Sequence, residues 1–600
     1  MANGFVAMVE SDLKNLAAES RRAEPGFAGY FGGAQHPEIK DAAERALLKL
    51  RSLPTDTALG PSILASCEEV WKVFIMACET KHSRMSLIGL SAIQKLVANE
   101  AISPEPMPRV LIILKQHADI YEEPVQLKTL QTVLSILQSK LHPEDEEGVS
   151  FMLGICFRLL ASPRCADSVH TTAAATLRQA VALIFDRICI LEGLTPHTRV
   201  PISDNAKDPN WKHGEATKAG LLLFNDLCAL ASGQAAPWLQ VPVLPRAFAL
   251  DMLECVLSNH AVVFNSLPNF ERLLGGRLAS LLMTSLRSER AVDDEAAEMV
   301  ERRLLMRTVS TVVKHFSRVL QTECEIYLTV LIKSLEQDFP LWHRIFVLEV
   351  LRVICSDAHL IRFLYDAFDS KGTTVVRDMV VVLARHVHSA VQLGEGMEEI
   401  LEHVARLYTQ KAKGVEWSPD MELLVAGGAQ QEAFAVALAT DGLLCIVDTL
   451  AALADQATKP QATPPQSQAQ SQSQALALST EEAACKLADM QEDPAVLEAK
   501  MVLATLRAMT AALWETLLLP LSVLLSHVQG EAIVLDLLKG YQSFTFTCGA
   551  VDAADARDAF LASLCDYTLG SNPPTAGAAR LASSPGLPSP LPPSPGGAGT

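Results

Sequence analysis

LQTECEIYLTVLIKSLEQDFPLWHRIFVLEVLRVICSDAHLIRFLYDAFD, residues 320–369, reads as three helices with almost no loop between them. In the first, Cys324, Tyr327, Leu328, Leu331 and Leu335 recur at helical spacing. Asp338 and Pro340 mark a break and a restart, and Val347, Leu348, Leu351, Ile354 and Cys355 form the stripe of the second. Ser356 and Asp357 can cap the third, where Leu360, Ile361, Leu364 and Phe368 line one face. Helices this apolar and this closely connected bury their stripes against one another, which is how a stacked helical repeat is written. A surface of that kind usually holds partners and performs no chemistry.

The pattern continues on both sides. Amphipathic or wholly apolar segments predict helices over Met1–Ser20, His36–Leu53, Ser62–Glu79, Met85–Asn99, Met107–His117, Glu123–Ser139, Val149–Ala161 and Val169–Leu191. Further segments follow at Glu215–Ser232, Leu244–Ser258, Phe270–Arg287, Glu295–Thr322, Val375–Val391, Met397–Gln410 and Gln431–Leu453. Short polar turns between long helices imply antiparallel pairs. The expected fold is all-α, an armadillo- or HEAT-like α-solenoid of antiparallel helix pairs, with a disordered linker and a C-terminal tail. No repeat of fixed length is visible, so the array is degenerate. Composition divides it into a helical region at 1–194, a Pro/Asp/Asn-rich linker at 195–214 and a second helical region at 215–457. A Gln/Ser/Pro linker at 458–479 precedes more helices at 480–569, and a Pro/Gly/Ser-rich tail covers 570–600. An end inside such a stretch reads as a truncated product or a partial gene model.

Six hundred residues exceed what one core can hold. Hydrophobic residues make up 49% and aromatic residues only 6%, with Leu and Ala dominant, which favours helices over sheet. The net charge of −19 opposes general nucleic-acid binding, where phosphate neutralisation supplies most of the affinity. The N-terminus carries Glu10 and Asp12 and has no basic run, unlike a signal peptide. Met501–Val528 is the best candidate for a membrane span, but it contains Arg507, Glu515 and Pro520 and is read as a buried helix pair. The chain is therefore expected in the cytosol, where its 13 scattered cysteines act as small core residues.

The search for chemistry finds almost nothing. Ser370-Lys371-Gly372-Thr373 lacks the glycines of a phosphate loop, and Gly394-Glu395-Gly396 lacks the third glycine of a dinucleotide site. Neither a GxSxG elbow nor an HExxH pair occurs. His386 and His388, two residues apart, point roughly 200° apart on a helix. His315, His343 and His403 stand alone, as histidines at a core edge or on the surface. No catalytic residue, cofactor or metal is expected.

Three features bear on partners. Arg303, Arg307, Lys314 and Arg318 align on the predicted helix Glu295–Thr322 and could meet anionic lipid headgroups or an acidic partner, or form an ordinary solvated face. The first helix presents Phe5, Met8, Val9, Leu13 and Leu16 for self-association, for membrane contact or for capping the array. Trp238 and Phe248 sit at a corner constrained by Pro237 and Pro242, as an interface anchor or as corner packing.

HPEIKDAAERALLKL (36–50), SCEEVWKVFIMACETKHSRMSLIGLSAIQKLVANEAIS (66–103) and TTAAATLRQAVALIFDRI (171–188) resemble the N-terminal part of the Mon-two family. TKAGLLLFNDLCAL with APWL (217–239), FALDMLECVLSNHAVVF (248–264) and LQTECEIYLTVLIKSL (320–335) continue the resemblance in the same order. That family is similar to the large Arf exchange factors of the Sec-seven type. The resemblance implies a dimerisation-and-cyclophilin-binding region followed, from about Glu215 to Leu453, by a homology-upstream-of-Sec-seven region. Exchange factors carry an Asn-Tyr-Asp-Cys-Asp box there. The corresponding Leu364–Asp369 keeps Tyr365, Asp366 and Asp369 without the Asn and Cys, and these three residues with Trp238 are the candidate partner surface. The resemblance further implies a non-catalytic scaffold, peripheral on trans-Golgi and endosome membranes, that can form a homodimer. Its implied partners are a Dopey-like protein, an Arf-like GTPase and a phospholipid flippase. Two alternatives stand beside this reading: a regulator of Arf-type nucleotide exchange and a generic armadillo-type adaptor.

Overall fold

The computed structural model describes residues 2–21, 36–52, 60–143, 145–194, 214–241, 244–287, 295–336, 339–392, 396–417, 423–424, 427–458 and 494–569. The expected linker at 195–213, Pro242, Asp338, the Gln/Ser/Pro stretch beyond Thr458, the helical start at 480–493 and the tail at 570–600 lie outside the described residues. The chain forms two compact units, residues 1–291 with 318–320 and residues 292–317 with 321–600. Apart from one antiparallel bridge between Ala236 and Val241, the described residues contain helices, turns and loops.

The first unit holds α1 (Ala2–Glu19), α2 (Pro37–Ser52), α3 (Gly60–Ala65), α4 (Glu68–Glu79), α5 (Ser83–Ala98), α6 (Met107–Ala118) and α7 (Glu123–Gln138). It continues with α8 (Glu146–Ala161), α9 (Asp167–Leu191), α10 (Glu215–Ala231), α11 (Arg246–Asn259), α12 (Ala261–Ser266), α13 (Pro268–Leu273) and α14 (Ala279–Arg287). Each long helix packs on its sequence neighbour and on the helix two places away. One layer therefore runs α2, α4, α6, α8, α10 and the other α1, α5, α7, α9, α11, which is the two-layer stack of an α-solenoid. Gly89 sets the closest approach of α4 and α5: a Cβ there would stand 2.5 Å from Cys78 Sγ and 2.8 Å from the Phe74 carbonyl oxygen. The apolar stripe of α1 lies against α2, α3 and α5, with Val9, Leu13 and Leu16 buried.

The helices that flank residues 195–213 pack on one another, α10 on α8 and α9, and α11 on α9. Phe264 joins this region: its ring centroid lies 5.8 Å from that of Phe185, 4.7 Å from that of Phe224 and 5.2 Å from that of Phe270. Such offset and edge-on pairs add to plain area burial.

The second unit holds α15 (Glu295–Phe316), α16 (Gln321–Glu336), α17 (Leu341–Cys355), α18 (Ala358–Ala367) and α19 (Val375–Gln392). Beyond these lie α20 (Met397–Ala412), α21 (Gly428–Thr458), α22 (Pro494–His527), α23 (Glu531–Val551) and α24 (Ala554–Leu569). Here α21 is the centre, touching α17, α18, α19, α20, α22 and α23. A helix surrounded in this way must be apolar all round and narrow. Its Ala433, Ala435, Ala437, Ala439 and Gly442 meet that demand, and all are buried. Both α21 and α22 are long and apolar enough to cross a membrane, but 78% of the apolar window of α21 and 50% of that of α22 are buried inside the protein.

One charge sits inside this packing. Asp441 of α21, 4% exposed, accepts from Arg352 Nη1 of α17 at 3.1 Å and from Lys411 Nζ of α20 at 2.6 Å. Lys411 also reaches Asp536 of α23 at 3.2 Å. The ammonium lies 5.1 Å from the Tyr408 ring centre and 5.5 Å from that of Trp417. Desolvation lowers the pKa of Lys411, but the hydrogen bonds and charges of Asp441 and Asp536 outweigh it and hold the group above its ordinary range. The network ties four helices together.

The opening stretch folds as three helices, with Leu335 at the end of the first stripe only partly buried. Cys324, Tyr327, Leu328 and Leu331, the whole α17 stripe, and Leu360, Ile361, Leu364 and Phe368 are buried. Asp357 caps α18 by accepting from the Leu360 amide at 3.0 Å. Several boundaries differ from expectation. The helix predicted over Ser62–Glu79 is two, because Cys67 leaves the helical region and Glu68 and Glu69 open a new N-terminus. Phe270–Arg287 carries a π-turn at Leu274–Leu278, where Gly275 and Gly276 loosen the ladder. Helix α15 stops at Phe316, six residues short of Thr322, and Leu320 beyond it is buried beside Gly275. Met501–Val528 is no helix pair: α22 runs unbroken through Pro520 and packs on α19, α21 and α23. Of the core-edge and surface positions left open for His343, the structure takes the core side: it is 5% exposed with its ring stacked 4.7 Å from Phe339.

Burial and the nearby charge of Arg302 push the His343 pKa down to about 4. A depressed histidine contributes stability above its unfolded pKa near 6.5, which is lost as pH falls through the folded value. Urea unfolding at pH 7 and pH 4.5 should show the second unit losing up to about 3 kcal/mol more than a His343→Phe variant does; an equal loss in both proteins would refute this. Asp441→Ala leaves Arg352 and Lys411 without their shared partner and should cost about 2–4 kcal/mol, somewhat less than a fully buried pair because both cations retain solvent contact. Chemical denaturation measures it, and a loss below about 0.5 kcal/mol would show that the network does not support the packing.

Candidate functional site

The residues singled out by sequence fall into three places. Tyr365, on α18, is 9% exposed, and burial followed by the charge of Asp369 raises its pKa. Asp369 follows in a short 3₁₀ turn, where its carboxylate accepts from the backbone amides of Val376 at 2.9 Å and Arg377 at 3.1 Å. It thereby satisfies the open N-terminus of α19. Burial raises its pKa against the pull of those two amides. Asp366 accepts from Thr505 Oγ1 of α22 at 3.0 Å and lies 3.7 Å from Arg362 Nε. Tyr365 is thus buried, and Asp366 and Asp369 both have partners within the second unit, with the Asp366 side chain 43% exposed.

Arg303, Arg307 and Lys314 share one face of α15 at offsets of four and eleven residues. Arg303 folds toward α17, with Glu349 Oε1 at 3.3 Å and the Phe346 ring centre at 5.9 Å. Arg307 and Lys314 are exposed. Arg318 is also exposed but lies in the turn after the helix, so α15 itself presents three of the four cations.

Trp238 stands at a groove of about 840 Å³ in the first unit. The groove runs between α6, α8 and the 236–241 loop. Its lining includes Lys115, Tyr121, Phe151, Gly154, Arg158 and Trp238. The loop is pinned from both sides. Asp226 of α10, 1% exposed, accepts from the Leu239 amide at 2.9 Å, while Ser150 of α8 donates to the Trp238 carbonyl at 2.7 Å. Burial raises the Asp226 pKa despite that amide. The Ala236–Val241 bridge closes the loop with bonds of 2.9 and 3.2 Å, and Gln240 takes φ +55. The backbone around Trp238 is therefore fixed, and the residue itself is half-buried. Phe248, its expected corner partner, instead stacks under Arg178, whose guanidinium carbon lies 5.3 Å from the ring centre. Tyr121 and Phe151 are part of the groove that sequence reading missed. Tyr121 sits in a polar turn and Phe151 within an apolar helix, and neither position signals that the two converge on Trp238.

Among the described residues no group of three or more His, Cys, Asp or Glu side chains could hold a metal ion. His386 on α19 is pushed down to a pKa of about 4 by burial and the charge of Arg344. Burial raises the thiol pKa of Cys78 well above its ordinary range and those of Cys156, Cys228 and Cys324 to about 12, consistent with inert core thiols.

Residues 1–191 match the Mon2/Sec7/BIG1-like dimerisation and cyclophilin-binding (DCB) domain, and residues 216–374 match the Mon2/Sec7/BIG1-like HUS domain. The protein MON2 homolog of Homo sapiens is 27% identical over 628 residues, covering 94% of this chain and 35% of that protein. The protein MON2 homolog of Drosophila melanogaster is 26% identical over 404 residues, covering 64% and 23%, and protein MON2 of Saccharomyces cerevisiae is 23% identical over 382 residues, covering 61% and 22%. The chain thus spans about a third or less of the length of these relatives. Among solved structures, a crystal structure of importin beta aligns with 95% of this chain and 73% of its own, at 10% identity and a TM-score of 0.31. With the DCB and HUS domains following one another in order, the chain belongs to the Mon2/Sec7/BIG1-like family.

Proposed function

We propose that this chain is a non-catalytic scaffold of Golgi and endosome vesicle trafficking that acts through self-association and partner binding while peripheral on the membrane. The observation that carries the reading is the succession of a DCB and a HUS domain within a chain aligned over 94% of its length with a MON2 homolog. DCB denotes dimerisation and cyclophilin binding, which supports self-association through the first region. A Dopey-like protein, an Arf-like GTPase and a phospholipid flippase remain the partners to test by affinity capture. Tyr365, Asp366 and Asp369 are offered as one partner surface, with Asp366 as its accessible member, and Trp238 as another. The Sec7-like kinship also supports a role in regulating Arf-type exchange, which a nucleotide-release assay with the purified chain examines directly.

Two measurements test the reading. Light scattering after size exclusion should give about twice the 64.9 kDa chain mass at tens of micromolar; a strict monomer there would sink the self-association claim. For the cationic face of α15, Arg307→Glu with Lys314→Glu should weaken co-sedimentation with anionic liposomes by about tenfold or more at low salt, each basic side chain near such a surface being worth about 1 kcal/mol. The difference should shrink as salt rises. Unchanged co-sedimentation would remove the membrane role from this face.

A further inference from the structure

Only 50% of the apolar window of α22 is buried inside the protein, and the uncovered part is ordered along the helix. Leu497 is 49% exposed and Met501 52% exposed. Ala504, Ala508 and Ala511 follow at steps of three and four residues, and all are exposed. Helical spacing places these five on one side of α22, facing away from the buried Leu506, Met509, Leu513 and Leu517. The result is an apolar ribbon that begins in the first turns of α22 and that no described element covers.

The chain just before α22 carries the complement of this ribbon. Residues 479–490, STEEAACKLADM, lie outside the described residues, and their sequence has the signals of a short amphipathic helix. Ser479 and Glu482 have the spacing of a capping box. Ala483, Leu487 and Met490 recur four and three residues apart, with Glu481, Glu482 and Asp489 away from that line. Asp493 and Pro494 are a cap and first-position pair, and Pro494 is where α22 begins. Gln491, Glu492 and Asp493 are then the whole connection, a length that turns one helix back antiparallel on the next.

That reversal selects the occupant. Folded back at Gln491–Asp493, the two stripes meet in order, Met490 opposite Leu497, Leu487 opposite Met501 and Ala483 opposite Ala504. Large side chains face large ones and small face small, as close packing of two helices requires. A helix this short is marginal in water and needs an apolar surface to form against. The three-residue tether presents the ribbon to it at high effective concentration, ahead of any free partner.

We propose that residues 479–490 form a helix that lies antiparallel along the first turns of α22 and covers Leu497, Met501 and Ala504. The ribbon is thereby an internal docking face, occupied by this chain's own segment.

Hydrogen exchange read by mass spectrometry on the full chain tests this. Amides of residues 483–490 should exchange at least tenfold more slowly than those of the Gln/Ser stretch at 466–474, which serves as the internal reference. Met501→Asp, at an exposed position, should abolish that difference and leave the protection of α19 and α21 unchanged. Leu487→Asp should abolish it as well, and it lies outside the packing of α22, so a folding failure of the first variant would not obscure the result. Equal exchange of the two segments in the wild-type chain would overturn the proposal, and so would protection of 483–490 that survives Leu487→Asp. Protection that grows as the chain goes from about one to tens of micromolar would assign the ribbon to a second copy and overturn the chain's own segment as its occupant.

Discussion

No helix of this chain can bury its own apolar stripe, and every other feature of the fold follows from that constraint. An isolated helix of ordinary length is marginal in water. Here each finds its burial on a sequence neighbour and on the helix beyond it. In the first unit this produces two parallel layers, tightened where Gly89 lets α4 and α5 approach. In the second unit the same need is met differently. Helix α21 supplies a common face to six others, which requires Ala and Gly where neighbours come closest and leaves Asp441 as a buried charge. Arg352 and Lys411 neutralise it, and Lys411 carries the link on to Asp536.

A stack of this kind separates stability from binding. The stripes between helices hold the fold, and the outer faces and interhelical grooves are free to vary. The placements of the candidate residues follow that division. Asp369 is spent on the N-terminus of α19 and Tyr365 is buried, whereas Arg307, Lys314 and the aromatic lining around Trp238 face outward. The family assignment gives these faces a setting, since the first region matches a dimerisation and cyclophilin-binding domain and the second a HUS domain.

Much of the fold was legible in the sequence because helical spacing maps directly onto burial. The stripe Val347, Leu348, Leu351, Ile354 and Cys355 could be read from residue types alone, and so could the cap at Asp357. Boundaries were less legible where tertiary packing overrode a local signal. Pro520 looks like a break yet lies inside α22, and nothing in the spacing of Glu295–Thr322 marks the stop at Phe316. Of the groove, Trp238 was visible as an aromatic between prolines. Tyr121 and Phe151 were not, since they come from a turn and a helix more than eighty residues upstream.

By itself the sequence determined the class of this protein: helical, stacked, and ordered in blocks like those of its relatives. These properties depend on residue type and spacing along the chain. Only the tertiary structure decided that α21 is a core helix, that Asp441 is paired rather than exposed, and that three distant aromatic rings share one groove. Those outcomes depend on which helices become neighbours, and neighbourhood is set by the packing of the whole stack rather than by any one segment.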